Sequence, residues 1–361
     1  MKSLRALYFI FANTVILLLL VVTATHVAVT GFYHLRDTSQ YRRLSEVARL
    51  NYSHMAPTDV EDLLLATNTM RYRYAPLVGM TEQATKSRFV NVDEYGIRSN
   101  GRPRGSIAEI QNGVWFLGGS SAFGYGVTDG ETIPAQLEKL MGRPVINFGA
   151  AMFFSAQENL LLVQYLRSGY RPAMAIFFDG VNESCDLDEY QEEMARIFDS
   201  TQQGYEWSPG EFAKPVIYAF GKLGDKLRKL TGTSVKKSER HELTCEAYGK
   251  RQELRTVHAR ILAERESLCR MYAIECVTIV QPFVHVHGRH EDVNIPDSER
   301  SAMREKFRHL EPNWRNAGAV FVTDALDLHE RHAYIDEAHY SAAASRLIAR
   351  AIATRLGERR K

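Results

Sequence analysis

The order of apolar and polar positions divides the chain into an apolar N-terminal run, a mixed segment and a long region of alternating elements. Between Ala6 and Thr30 the sequence has no Lys, Arg, Asp or Glu. A bilayer-spanning helix needs about 20 mainly apolar residues. The run therefore predicts a transmembrane anchor within residues 1–30. A cleaved signal peptide is the alternative, because Val22-Thr23-Ala24 resembles a small-residue cleavage site.

Basic residues at the N-terminus predict the direction in which this helix crosses the membrane. Lys2 and Arg5 precede the apolar run, and cytoplasmic flanks carry an excess of Lys and Arg. We therefore expect a single-pass protein of the inner or plasma membrane, with the rest of the chain on the periplasmic or extracytoplasmic side. Arg36, Arg42 and Arg43 follow the helix and weaken the charge contrast.

From Val114 onward, short apolar runs alternate with amphipathic segments, which is typical of βαβ units and a parallel sheet. We predict a three-layer α/β/α sandwich with a five-stranded, mainly parallel sheet over 111–361, and a stalk and lead-in segment over 31–110 in which no pattern indicates chemistry. The predicted strands are 114–118, 144–148, 174–179, 275–281 and 318–323. The predicted helices are 131–141, 155–168, 252–271, 297–316 and 341–356.

A polar insertion at about 186–250 interrupts this alternation. Within it, apolar residues with helical spacing have basic residues between them, which predicts an amphipathic basic helix. The apolar residues are Val216, Phe220, Leu223, Leu227 and Leu230. The helix is interpreted as a cover for core surface, with a mobile lid or a membrane-surface contact as alternatives.

Four cysteines can oxidise if the chain is exported. Cys185 and Cys245 bracket the insertion and are the favoured pair, whereas Cys269 is assigned to a helix and Cys276 to a buried strand. Four free buried thiols are the alternative.

Charge and composition narrow the class of partner. The chain is 45% apolar and 24% charged, and its 45 basic and 43 acidic residues nearly cancel. A globular protein with a large core is therefore expected, and nucleic acid is not expected as a partner. The sequence does not indicate an oligomeric state.

A serine lies in a glycine-rich turn where the first predicted strand ends, in the run Gly118-Gly119-Ser120-Ser121. Ligands bind at the carboxyl edge of open α/β sheets, and a serine there can act as a nucleophile if a base reaches it. A phosphate-binding loop is the alternative, but the GxxxxGK[ST] lysine is absent from this turn.

Asp336 and His339 lie three residues apart, just before the last predicted helix. This spacing brings the two side chains to the same side of one turn, where the carboxylate can orient the imidazole as a base. Gly149 follows the second strand and Gly180-Val181-Asn182 follows the third. The N–H groups of Ser120 and Gly149 and the Asn182 amide are the candidate oxyanion donors.

Taken together in this order, these four blocks resemble those of the SGNH (GDSL-type) hydrolase superfamily over roughly residues 114–356. The resemblance implies that Ser120 is the nucleophile, that Gly149 and Asn182 complete an oxyanion hole, and that Asp336 and His339 complete a triad. Gly119 departs from the family pattern, which has Asp at that position. The departure removes a support of the nucleophile turn but leaves the nucleophile in place.

The same edge carries further candidates. Ser121 is the alternative nucleophile by adjacency, and Ser121, Gly180 and His285 are predicted to contact substrate. His285, His287 and His290 have side chains that can bind a metal, but the run lacks a fourth ligand nearby in the sequence. No metal and no nucleotide cofactor is therefore predicted.

These residues predict a serine ester hydrolase that removes O-acyl groups, above all acetyl, from an envelope or secreted polysaccharide. An O-acyltransferase acting on the same glycan would use the same acyl-enzyme. The fold is also compatible with a lipid esterase and with a non-catalytic envelope assembly or glycan-binding protein.

Overall fold

A long apolar helix begins the chain in the computed structural model, which describes residues 2–38, 49–102, 107–184, 248–288, 293, 295–327 and 332–359. Helix α1 is Lys2–Thr38. Its Phe9–Ala28 part has a mean hydropathy of 2.1 and none of it is buried. It is long and apolar enough to cross a membrane, and an N-terminal signal sequence would have the same character.

Residues 49–102 form short elements that pack against the rest of the α/β unit. Tyr52 and Leu63 share an apolar cluster with Phe123 and Ile335, which belong to the region around the predicted site. A helix and two antiparallel strand pairs make up this lead-in: α2 (Pro57–Asn68), β1 (Tyr72–Ala75) with β2 (Gly79–Glu82), and β3 (Thr85–Lys86) with β4 (Asn91–Val92). Helix α3 (Ile107–Asn112) then leads into the sheet.

The predicted three-layer α/β architecture with a five-stranded parallel sheet is confirmed. The strand order is β6-β5-β7-β8-β9, and every neighbouring pair is parallel. Every residue of β5, β6 and β7 is buried, as expected for strands covered on both faces. The strands are β5 (Val114–Gly118), β6 (Val145–Gly149), β7 (Met174–Asp179), β8 (Cys276–Val280) and β9 (Val320–Phe321).

Alternate residues of the strands pack on opposite layers of helices. Phe116 lies in one core with residues of α5 (Ile133–Met141) and α10 (Ala342–Arg359). Trp115 lies in a second core with residues of α6 (Ser155–Arg167) and α7 (Tyr248–Met271). Helix α9 (Asp297–Asn316) packs on α7 through Trp314 and Leu310. The short helices α4 (Ser120–Phe123) and α8 (Val284–His287) follow β5 and β8.

Two of the four cysteines are paired, so the alternative of four free thiols is wrong. Cys269, on α7, and Cys276, the first residue of β8, form a disulfide with a Cα–Cα distance of 6.1 Å. The two residues were assigned correctly to a helix and a strand, but a tight connection brings the end of that helix against the start of the strand. The predicted Cys185–Cys245 pair and the predicted basic helix lie outside the described residues.

Candidate active site

The nucleophile turn is tightly packed at its glycines. Strand β5 ends at Gly118, and Ser120 opens α4, which turns back toward the sheet. A Cβ on Gly119 would lie 2.2 Å from Asn182 Nδ2 and 3.0 Å from the Phe153 carbonyl oxygen. Gly119 therefore lets the turn that carries Ser120 approach the Asn182 amide closely.

Ser120, His339 and Asp336 form a continuous hydrogen-bonded chain. Ser120 Oγ lies 2.8 Å from His339 Nε2, and His339 Nδ1 lies 2.7 Å from Asp336 Oδ2. Because the carboxylate accepts at Nδ1, the proton of neutral His339 belongs on Nδ1, and Nε2 is left to accept from the serine hydroxyl. Such an arrangement can serve as nucleophile, base and orienting carboxylate.

Asp336 is held ionised by its own turn. Its Oδ1 accepts the backbone N–H groups of Ala338 and His339 at 2.9 and 2.8 Å. Burial raises the pKa of Asp336, but the nearby His339 and these hydrogen bonds outweigh burial and hold that pKa below its usual value. Since 52% of the Asp336 side chain is exposed, solvent screening weakens the effect. The carboxylate remains charged across the neutral range.

Ser121 does not compete with Ser120 for the base. Its side chain is buried, and its Oγ donates to the Ala338 carbonyl oxygen at 3.0 Å. Ser121 therefore ties the nucleophile turn to the Asp336–His339 turn. The predicted contact between Ser121 and substrate is not supported, because the hydroxyl faces protein.

An aromatic ring that was not predicted from the sequence supports the imidazole. The Tyr125 ring stacks on His339, with a centroid distance of 5.5 Å and an interplanar angle of 24°. The Tyr125 hydroxyl lies 2.9 Å from that of Tyr72 on β1. Tyr72, a residue of the lead-in, thus helps to hold the Tyr125 ring against the His339 imidazole.

Asn182 lies beside the nucleophile at the end of β7. It begins a short 3₁₀ turn, Asn182–Ser184, and its Nδ2 donates to the Phe153 carbonyl oxygen at 2.6 Å. An amide nitrogen carries two hydrogens, so a second N–H remains for a ligand. The arrangement is compatible with the predicted oxyanion role.

The oxyanion role predicted for Gly149 requires a free N–H, but this N–H is already hydrogen-bonded. Its N–H donates to Asn147 Oδ1 at 3.0 Å, and a Cβ at this position would lie 2.2 Å from the Phe123 nitrogen. Gly149 therefore allows α4 to pack on β6, and its N–H is already engaged. The structure does not support Gly149 as an oxyanion donor.

Gly180 and His285, which were also predicted to contact substrate, are engaged with protein. Gly180 has a φ of +138° and donates its N–H to Glu183 Oε2 at 2.6 Å. His285 is 3% exposed, and its Nε2 lies 3.2 Å from Glu299 Oε1. The sequence could not reveal that the loop after β8 folds inward as α8.

Two groups of residues in the described part of the chain bring three metal-type ligand atoms within 4.8 Å of one another. The first is His285, Glu299 and Glu337, in which the imidazole is paired with Glu299. The second is Glu158, Asp179 and Glu183, which is fully buried. Arg265 lies against this second group, with Nη1 2.9 Å from Asp179 Oδ2 and Nη2 3.0 Å from Glu158 Oε2. The guanidinium therefore already supplies the positive charge.

Two buried ionisable side chains in the lead-in hold backbone around the site. Glu82 Oε1 accepts the Ala151 N–H at 2.6 Å, next to Met152, whose φ is +60°. Burial raises the pKa of Glu82 to about 7, although the Ala151 N–H and Arg98 act in the opposite direction. Arg98 donates to the carbonyl oxygens of Phe123, Gly124 and Val127 and to Asp129. No local pattern marks either residue in the sequence.

Comparisons with known proteins give similarities of fold, without a match by sequence. No protein-family model and no curated protein matches the sequence. The fold is similar to that of a carbohydrate acetylesterase family member from Sinorhizobium meliloti, with 14% identity, 68% of this chain and 97% of that chain covered, and a TM-score of 0.39. It is also similar to an acetylxylan esterase from Geobacillus stearothermophilus, with 14% identity, coverages of 69% and 96%, and a TM-score of 0.33.

An esterase described as a member of the SGNH-hydrolase family is also similar, with 16% identity, coverages of 62% and 83%, and a TM-score of 0.32. At such low identities these likenesses concern the fold alone.

Proposed function

We propose that this chain is a serine esterase whose nucleophile is Ser120. The observation that carries the proposal is the Ser120–His339–Asp336 chain, with Oγ to Nε2 at 2.8 Å and Nδ1 to the carboxylate at 2.7 Å. A surface serine seldom has a histidine at hydrogen-bond distance that is itself oriented by a carboxylate, and this arrangement is the signature of an activated nucleophile.

The reaction follows from these contacts. Ser120 Oγ attacks the ester carbonyl carbon while its proton passes to His339 Nε2, and Asp336 stabilises the imidazolium. The tetrahedral oxyanion accepts from the Ser120 N–H and the free N–H of Asn182. As the C–O bond to the leaving alcohol breaks, the imidazolium protonates that oxygen. Water, deprotonated by His339, then attacks the acyl-enzyme carbonyl. The bond to Ser120 Oγ breaks, the imidazolium returns its proton to Oγ, and the acid is released.

The substrate class is an O-acylated, above all O-acetylated, polysaccharide of the cell envelope or secreted matrix. Two observations support an exported enzyme. Helix α1 is apolar enough to anchor the chain, and the Cys269–Cys276 disulfide is typical of oxidising compartments. With Asp336 half exposed, the triad lies at the protein surface, where a polymer has access to it.

Acetate release tests the substrate class. The full chain in detergent micelles is incubated with acetylated envelope polysaccharides and, separately, with a small nitrophenyl acetate and a long-chain lipid ester. Release of acetate from a glycan supports the proposal. Transfer of acetyl to an added acceptor glycan, faster than release into water, would make the enzyme an acyltransferase. Activity confined to the lipid ester would contradict the polysaccharide assignment.

Topology is tested separately with a reporter fused to the C-terminus. An anchor with Lys2 and Arg5 on the cytoplasmic side places the C-terminus outside. A reporter that is active only in an exported compartment is therefore expected to function. Cytoplasmic activity of the fusion would contradict both the location and the envelope substrate.

A further inference from the structure

A buried polar cluster lies directly behind Asn182 and has no part in the reaction proposed above. Its carboxylates are Glu158 on α6, Asp179 at the end of β7, and Glu183 in the turn after β7. Arg265, from α7, pairs with Glu158 and Asp179. Burying three carboxylates with one guanidinium is costly, so the cluster calls for an explanation beyond stability.

Glu183 differs from the other two carboxylates in its hydrogen-bond partners. Its Oε2 accepts the Gly180 N–H at 2.6 Å, which closes the turn that carries Asn182. Its Oε1 accepts the Ser155 N–H at 3.0 Å and lies 3.0 Å from Ser155 Oγ, at the first residue of α6. One carboxylate therefore fastens the 180–184 turn to the start of a helix.

The segment that is hydrogen-bonded to Glu183 also accepts a hydrogen bond from the Asn182 side chain. Phe153, two residues before Ser155, accepts from Asn182 Nδ2 through its carbonyl oxygen at 2.6 Å. This bond fixes one amide hydrogen and thereby sets the direction of the other. The backbone turn of Asn182 and the carbonyl partner of its side chain therefore depend on the same junction between residues 153–155 and 180–183.

Asp179 contacts the same serine hydroxyl as Glu183 and is itself paired with Arg265. Asp179 Oδ2 lies 3.0 Å from Ser155 Oγ and 2.9 Å from Arg265 Nη1. The Arg265 guanidinium also lies 3.9 Å from the centre of the Phe177 ring. Rigid support of this kind is what a catalytic donor requires, since a displacement of about 1 Å can cost on the order of 10² in rate.

We propose that Glu183 is a positioning residue for Asn182, locking the 180–184 turn onto the start of α6 so that the free amide N–H faces the oxyanion formed at Ser120. This inference rests on the proposed esterase function. Glu183 touches no substrate and acts through Asn182.

The chain offers a matched control for a test of this role. Glu158 is buried in the same cluster and accepts from Arg265 at 3.0 Å, but its described hydrogen bonds do not reach residues 180–184. Glu183→Gln and Glu158→Gln make the same isosteric change, from carboxyl to amide, in the same buried cluster. If Glu183 served stability alone, the two variants would behave alike.

Kinetics of the full chain with nitrophenyl acetate give the first readout. Glu183→Gln is expected to lower kcat about 10- to 100-fold at nearly unchanged KM, whereas Glu158→Gln changes kcat by less than about threefold. In an Asn182→Ala background, adding Glu183→Gln should change kcat by less than about threefold, because the group it positions is gone. Equal effects of the two glutamine variants, or multiplying effects in the double variant, would overturn the inference.

Hydrogen exchange measured by mass spectrometry supplies a readout that needs no activity. Peptides covering residues 150–156 and 178–184 should exchange faster in Glu183→Gln than in Glu158→Gln or the wild type. Exchange rates that are unchanged in Glu183→Gln would contradict the claim that Glu183 stabilises the 180–184 turn. A wild type that hydrolyses no ester would contradict the proposed function, and exchange would still decide whether Glu183 holds the turn.

Discussion

The sheet and the lead-in contribute to the site in opposite ways. Every residue of β5, β6 and β7 is buried, and Ser120 and Asn182 follow the ends of two of these strands. The lead-in, residues 49–102, has strands of only two or four residues, and its buried charges Glu82 and Arg98 make specific polar contacts. The sheet brings the reacting groups to one edge, whereas the lead-in holds the backbone of the turns that carry them.

This difference separates two kinds of defect. Loss of a reacting group should abolish activity and leave the fold intact, because the side chain contributes little burial. Loss of a lead-in charge should lower stability first, because a buried group is left without its partner. Activity and stability should therefore respond to different substitutions.

The largest effect is expected at the nucleophile. Ser120→Ala should lower kcat by about 10⁶, since members of a triad act as a unit. Its melting temperature should stay close to that of the wild type. Ser121→Ala is the control and should retain most activity, with a small loss from the missing bond to Ala338. A reversed result would assign the nucleophile to Ser121.

The largest stability effect is expected at Arg98 in the lead-in. Its side chain is fully buried, and Arg98→Met removes the cationic partner of Asp129 and a donor to three carbonyl oxygens. Breaking a buried pair in this way costs about 3–5 kcal/mol. Arg88→Met is the control, because the Arg88–Asp59 pair is exposed and such pairs are worth about 0–1 kcal/mol. Denaturant unfolding of both variants measures the difference, and equal losses would contradict the role given to Arg98.

A smaller loss of rate is expected at the oxyanion donor. Asn182→Ala should lower kcat by about 10²–10³, while KM and covalent labelling by a fluorophosphonate change little. Asn147→Ala is a useful comparison, because the Asn147 side chain bonds backbone groups, accepting the Gly149 N–H and donating to the Phe123 carbonyl oxygen. It should affect stability more than kcat. A normal kcat for Asn182→Ala would exclude the donor role.

The smallest effect concerns the pH dependence of stability. Burial raises the pKa of Glu82 from 4.5 to about 7, so the folded state holds this proton more tightly than the unfolded state. The resulting stabilisation is fully present below pH 4.5 and is lost as pH rises through about 7. Relative to Glu82→Gln, the wild type should therefore lose up to about 3 kcal/mol between pH 4.5 and pH 8.

Unfolding curves of the two proteins at both pH values isolate this contribution from that of the remaining titrating groups. The exposed Glu94, changed to Gln, serves as the control in the same segment. A wild-type minus Glu82→Gln difference that does not change with pH would contradict the raised pKa of Glu82.

The sheet was predictable because apolar runs and helical spacing are local signals. The bounds predicted for β5, β7 and α9 agree with the structure, and β6 is shifted by one residue. Strand β9 is shorter than predicted, because only Val320–Phe321 pairs with β8. Val322 still donates its N–H to the Val280 carbonyl oxygen, and periodicity does not show where strand pairing ends.

Contacts between distant segments were not predictable. Glycines indicated the turn at Ser120, but whether the Gly149 N–H is free depends on the Asn147 side chain. The Glu82 carboxylate accepts a hydrogen bond from Ala151, which is 69 positions away in the sequence. The disulfide between Cys269 and Cys276 depends on how α7 ends against β8. A single sequence shows motifs and periodicity. It does not show which residues of the lead-in contact which residues of the core.

Covalent labelling of the full chain tests the central claim most directly. A fluorophosphonate reacts with a serine only when a neighbouring base activates the hydroxyl. After labelling and digestion with trypsin, mass spectrometry of the peptide spanning residues 105–139 should find the adduct on Ser120, and His339→Ala should abolish it. An adduct on Ser121, or a folded wild-type protein that takes up no label, would contradict the account.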